Sequence, residues 1–279
     1  MVLFNGNYGD FITARDGYQI VQYLKSCNPD LEIQISTNAS ARPDVWSKLG
    51  RLGIEVQFRL DGLKDTHHLY RQNTDWDLIL ANAADFIAAG GRAVWAMIVF
   101  DHNRHQIDAC RQLSTDMGFH EFFLVDHPMG VRNAFPVFTK DKKLSHVVGK
   151  YHGSTDFDEI HSQYLDSIDH PDRELDYTTD RCKITCKTMT IQNEQQGQEI
   201  YICANGEVYP CCWTGFYPMM NNGGYTNRQL REIVKENNAV EHGLEHAVQW
   251  FAKITESWSI PTVKQGRIMA CNDVCGHDQ

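Results

Sequence analysis

Short apolar runs alternate with longer amphipathic stretches over the first half of the chain. The apolar runs are Val2 to Phe4, Leu31 to Ser36, Ile54 to Leu60, Ala93 to Phe100 and Glu121 to Val125. Between them, helical spacing marks about 17–27, 43–51, 76–89 and 104–117. Strand and helix in this alternation predict βα units and a parallel sheet. The run Trp95-Ala96-Met97-Ile98-Val99-Phe100 is continuously apolar, as a strand buried on both faces should be. Ile79, Ala83, Phe86 and Ile87 form one stripe on the third helix, which stops at Gly90-Gly91. In the first helix, Ile20, Leu24 and Cys27 mark the expected buried face, with Cys27 buried at its end. Cys110 shares an apolar helix face with Ile107, Leu113 and Met117 and is expected to be a core thiol.

Polar residues gather after each apolar run: Gly6 to Asp10, Ser36-Thr37-Asn38, Asp61-Gly62, Asp101-His102-Asn103 and Asp126-His127-Pro128. Parallel α/β folds place their sites at the carboxyl ends of strands, so five polar loops on one rim suggest a small-molecule site. For any one loop, Asn, Asp and Gly equally serve to make the turn.

The pattern changes after residue 135. Residues 136–180 read as a linker with short helices. Residues 181–279 read as a small hairpin-and-helix domain. Within it, Glu199 to Ile202, Ala204-Asn205-Gly206 and Glu207 to Tyr209 make a hairpin signal. Helices are expected at 228–236 and 239–254. The whole reads as an α/β chain: an incomplete open (β/α) barrel over residues 1–135, the linker, and the C-terminal domain.

Composition narrows the function classes. The 279 residues carry 26 Lys and Arg against 36 Asp and Glu, a net charge of −10. That argues against broad binding to nucleic acid or anionic membrane. No run of 18 apolar residues exists, and Met1 to Tyr8 has no signal-peptide pattern. Of nine cysteines, seven fall in the final third: Cys182, Cys186, Cys203, Cys211, Cys212, Cys271 and Cys275. Without a secretory signal, ligation of a metal or cluster is a better reading than disulfides, and a reducing cytoplasm is the expected compartment.

Cys182-x3-Cys186, Pro210-Cys211-Cys212 at the hairpin end, and Cys271-x3-Cys275 supply the candidate ligands. Four thiolates suit tetrahedral zinc or an iron–sulfur cluster. The absence of any C-x2-C knuckle tilts the reading to iron–sulfur. The favoured set is Cys186, Cys211, Cys271 and Cys275, with Cys182 and Cys212 as alternates. Cys203 lies in the strand and is expected to point into the sheet.

Gly206-x4-Cys211 within "NGEVYPCC", an upstream cysteine and a downstream cysteine pair resemble the auxiliary-cluster domain, of SPASM or twitch type, of radical S-adenosylmethionine enzymes. The first half is similar to the same superfamily. "NGNYGD" resembles its glycine-acid loop, with Gly9-Asp10 at the Gly-Glu step and Phe11 where Pro is usual. "ISTNAS" resembles its Thr-Asn step, "FRLDGL" its Asp-Gly strand end, and "VFDHNRHQ" its later strand with an Asn leading into a helix. The resemblance implies that Gly6, Asn7, Gly9, Asp10, Thr37, Asn38, Asp61 and Asn103 hold S-adenosylmethionine, with Tyr70 and Arg71 near substrate or ligand. It implies an auxiliary [4Fe–4S] cluster and a peptide or small-molecule substrate.

The superfamily's C-x3-C-x2-C, which binds its catalytic cluster, does not occur in the 279 residues. Only a few residues precede the glycine-acid loop, so an N-terminal truncation is expected, and no catalytic residue is assigned. The alternative is a non-catalytic iron–sulfur or zinc scaffold. A barrel lacking its first strand would expose Val2 to Phe4 as an edge open to a partner chain. A zinc peptidase is a third, weaker reading, because His242-Gly243-Leu244-Glu245-His246 matches H-x-x-E-H on the expected helix 239–254.

Overall fold

The computed structural model describes residues 1–6, 9–125, 135–139, 141, 143–148, 183–186, 188–189, 200–216 and 224–277. Asn7, Cys182 and most of the expected linker lie outside the described residues. The chain divides into two compact units, Met1–His161 and Ser162–Gln279.

Five strands of the first unit form one parallel sheet in chain order: β1 Val2–Asn5, β2 Ile33–Thr37, β3 Glu55–Arg59, β4 Arg92–Ile98 and β5 Glu121–Val125. Helices α1 Gly17–Cys27, α2 Trp46–Gly50, α3 Lys64–Tyr70, α4 Trp76–Ala88 and α5 Ile107–Asp116 connect them. The sheet is open among the described residues, with β1 and β5 at its edges.

Alternation decides which side chains face the helices. Ile33, Ile35, Val56, Phe58, Ala93, Trp95 and Met97 share one core with Val21, Trp46, Leu49, Ile79, Ala83, Phe86 and Cys110. Each large side chain here contributes about 1.5–3 kcal/mol by leaving water. Trp46, Phe58 and Phe86 pack ring on ring, with centroids 5.4–6.4 Å apart. The opposite face of β2 and β3 is polar: Gln34, Ser36, Glu55, Gln57 and Arg59. There Arg59 donates to Ser36 Oγ (2.8 Å) and Gln57 Oε1 (3.1 Å).

Three expectations change. Helix α1 buries Gly17 and Val21, so its inward face is turned from the one expected. Ile20 is 46% exposed and Cys27 is exposed, because Val21 takes the position against the core that Ile20 was assigned. Inside the expected linker, β6 Phe135–Phe138 and β7 Leu144–Val148 pair antiparallel rather than forming helix. Val137 and Val148 pack on Ile98 and Phe100, and this apolar contact holds the pair at the end of β4. Pro136 cannot donate to a ladder, and a two-stranded pair tolerates it at an edge.

Among its described residues the second unit holds two two-stranded sheets and six short helices. Strands β9 Tyr201–Ile202 and β10 Val208–Tyr209 form an antiparallel hairpin, and β8 Lys183–Ile184 pairs antiparallel with β11 Gly276–His277. Its helices are α6 Cys212–Phe216, α7 Gly224–Ile233, α8 Ala239–His242, α9 Leu244–Ala247, α10 Phe251–Ser257 and α11 Met269–Cys275. The single helix expected at 239–254 is thus three. Gly243, at φ +80°, ends α8, and Val248 and Trp250 lead into α10. No helix among the described residues is long and apolar enough to cross a membrane.

Candidate functional site

The strand ends carry two hydrogen-bonded groups. In the first, Asp10 follows β1 and caps a short 3₁₀ turn, Phe11–Thr13. Its Oδ1 accepts from Thr37 Oγ1 (2.6 Å) and from the Ile12 N–H (3.1 Å), and its Oδ2 accepts the Asn38 N–H (2.7 Å). The carboxylate therefore ties the loop after β1 to the end of β2. It is only partly buried. Three bonds leave it acceptor capacity for a cationic group. Asn38 Oδ1 accepts the Ser40 N–H at 3.0 Å, which fixes the next turn. At Gly6 a Cβ would fall 1.8 Å from the Gly9 carbonyl oxygen, so the loop closes on itself only with glycine there.

The second group joins β3 to β4. Asp61 is fully buried, and its Oδ1 accepts the Ile98 N–H at 2.6 Å. Arg71 Nε donates to its Oδ2 at 2.6 Å. Asn103, also fully buried, donates to the carbonyls of Asp61 (3.2 Å) and Ile98 (3.0 Å) and accepts the Phe100 N–H (2.7 Å). Gly62, at φ +109°, has no room for a Cβ, which would meet Thr66 Oγ1 at 2.2 Å. Gln106 Oε1 accepts the Leu63 N–H at 2.8 Å and its Nε2 donates to Asp65 at 2.8 Å.

His67 completes this group, and nothing in its sequence context marks it. Its Nδ1 accepts the Asp61 N–H at 3.2 Å, so its Nε2 carries hydrogen and donates to Thr74 Oγ1 at 3.1 Å. Thr74 in turn donates to the Arg71 carbonyl at 2.7 Å. Burial, with Arg71 and His68 nearby, lowers the His67 pKa to about 4. Burial and Arg71 also lower the pKa of Arg59. Tyr70 packs at a tilt against Phe100 with centroids 4.7 Å apart, and the Arg71 guanidinium lies 5.1 Å from the Tyr70 ring centre.

The second unit gathers cysteines. Cys186, Cys211, Cys271 and Cys275 line one small apolar pocket, together with Met189, Trp213 and Val274. Local structure explains each. Cys271 and Cys275 lie one turn apart on α11, hence on one face. Cys186 follows β8, whose pairing with β11 continues in a Thr185 N–H bond to the Cys275 carbonyl (2.9 Å). Cys211 ends the hairpin, where Gly206 at φ +88° makes the turn against Asn238. Thr188 and Thr214 hydroxyls lie 3.2 and 3.5 Å from the Cys186 and Cys211 sulfurs.

Burial raises the Cys271 pKa to about 12, and the Trp258 indole pulls against that rise. Burial and the nearby Cys186 raise Cys275 to about 11. A bound cation reverses this, because it deprotonates a coordinating thiol. Among the described residues no three His, Cys, Asp or Glu side chains converge as ligands of a metal ion. Cys212 is exposed beside the pocket, at the start of α6, and Cys203 is buried in the second core with its pKa raised to about 11 by burial. His246 pairs with Glu236 at 2.9 Å, and Gly243 breaks the helix that the H-x-x-E-H reading requires.

No family model and no curated protein sequence matches the chain. Solved structures similar to it include Streptococcus suis SuiB at 14% identity and TM-score 0.46, covering 76% of this chain and 50% of that one. SuiB bound to S-adenosylmethionine aligns at 15% identity and TM-score 0.45, covering 74% and 48%. SuiB bound to the precursor peptide SuiA aligns at 14% identity and TM-score 0.45, covering 73% and 47%. The chain thus spans about half the length of the SuiB structures it resembles.

Proposed function

We propose that this chain belongs to a radical S-adenosylmethionine enzyme that modifies a peptide or small molecule, and that it carries an auxiliary [4Fe–4S] cluster on Cys186, Cys211, Cys271 and Cys275. The observation that carries the reading is the single pocket lined by those four thiols. Four thiols suit either tetrahedral zinc or a cluster, and the lack of any C-x2-C knuckle among these cysteines favours the cluster. Buried Ile254 and Ala270 in the same lining keep water from the inner side of the sulfurs. When bound, such a cluster supplies one-electron redox capacity beside the substrate.

In the first unit, the proposed S-adenosylmethionine site runs along the strand ends. Gly6, Gly9 and Asp10, with Asn7 between them, form its loop, and Asp10 offers a partly exposed carboxylate to the ligand's amino group. Thr37 and Asn38 are held against Asp10. Asp61 and Asn103 would act by fixing the rim, since their side chains are already engaged with the chain.

Anaerobic purification followed by iron and acid-labile sulfide assay tests the cluster. Stoichiometric iron and sulfide, lost in Cys211→Ala and Cys271→Ala, is the expected result. Zinc without sulfide would overturn it. Titration calorimetry tests S-adenosylmethionine binding, with Asp10→Ala expected to weaken it. A second reading, a non-catalytic cluster-binding scaffold, is favoured by the lack of C-x3-C-x2-C in these residues. Reductive formation of 5′-deoxyadenosine by the 279 residues alone would exclude it.

A further inference from the structure

The Trp258 indole Nε1 is buried and reaches no oxygen or nitrogen acceptor among the described residues. A buried N–H without an acceptor costs free energy, and few persist without a reason. The polar group beside it is the Cys271 side chain. Both residues belong to the second core. Their relative position is fixed from the backbone: Trp258 closes α10, and the adjacent Ser257 Oγ accepts the Ile268 N–H at 3.4 Å, just before α11 begins. A neutral thiol is a weak acceptor, whereas a thiolate accepts a charge-assisted hydrogen bond.

We infer that the Trp258 indole N–H donates to the Cys271 sulfur once that sulfur is a cluster thiolate, and that this bond raises the cluster's reduction potential. The inference rests on the cluster reading above. Trp258 does not line the pocket, so it acts through Cys271 as a positioning and tuning residue. Reduction adds negative charge to the cluster and its thiolates. A donor aimed at one thiolate stabilises that charge, so its loss makes the cluster harder to reduce.

The test is a redox titration of the full chain followed by electron paramagnetic resonance, with iron and sulfide assayed on the same samples. Trp258→Phe keeps the ring and removes the N–H. The expected result is unchanged iron and sulfide with a midpoint shifted to lower potential. Full cluster content with an unchanged midpoint overturns the inference and leaves the cluster standing. A wild-type chain without iron and sulfide overturns both. Should Trp258→Phe not fold, ¹⁵N-tryptophan in a Trp213→Phe background provides the second measurement, since Trp213 is the indole that lines the pocket itself. Hyperfine coupling of the indole nitrogen to the reduced cluster is expected, and its absence overturns the inference.

Discussion

Arg71 Nε and the Ile98 N–H occupy the two oxygens of Asp61, each at 2.6 Å, so one buried carboxylate binds a helix end and a strand end at once. Asp61 is fully buried, and the Arg71 side chain is 24% exposed. Arg71→Met would leave the buried carboxylate without its ion-pair partner. The expected loss is about 3–5 kcal/mol in urea unfolding. Asp61→Asn in the same background should recover part of it, and a double-mutant cycle reads the coupling.

His67 makes stability depend on pH. Its pKa is about 4 in the folded chain and near 6.5 when unfolded. The unfolded chain therefore binds the proton first as pH falls. This contribution is complete above pH 6.5, declines between 6.5 and 4, and is gone below. Its size is on the order of 3 kcal/mol. His67→Gln should flatten the stability profile in that window, as thermal melts at stepped pH would show.

Two glycines separate strain from crowding. Gly53, at φ +63°, has open space where a Cβ would go, whereas at Gly62 a Cβ would strike Thr66 Oγ1. Gly53→Ala should cost about 1 kcal/mol from the backbone alone. Gly62→Ala should cost roughly 2–3 kcal/mol or more. Similar costs for the two in urea unfolding would discount the contact.

Adjacent cysteines should differ. Cys211 lines the pocket, and Cys212 starts a helix with an exposed side chain. Cys211→Ser is expected to abolish bound iron and sulfide, while Cys212→Ser retains at least half.

The sheet was legible because period-two and continuous apolar runs are cheap to recognise: Trp95 to Ile98 reads as strand at sight. The rim residues Asp10, Thr37, Asp61 and Asn103 were legible as turn formers, but their bonding was not. That Asn103 reaches two carbonyls, and His67 an amide, depends on contacts across the fold. The α1 face was misjudged because Ile20 and Val21 are both apolar neighbours, and only packing selects Val21. The β6–β7 pair was hidden by Pro136 and the lysines around it. Trp258 carries no sequence signal, since its importance lies in an atom that reaches no oxygen or nitrogen acceptor among the described residues.

The pairing of β8 with β11 alters the thermodynamics of anything bound at the cysteines. Cys186 and Cys275 are separated by roughly ninety residues, a loop whose closure costs entropy that grows only logarithmically with length. The backbone ladder Gly276–Ile184 and the Thr185–Cys275 bond span that loop through the main chain. Any ligand shared by Cys186 and Cys275 would therefore divide the entropy of closing the loop with these backbone bonds, so cutting the ladder should weaken ligand retention as well as the fold.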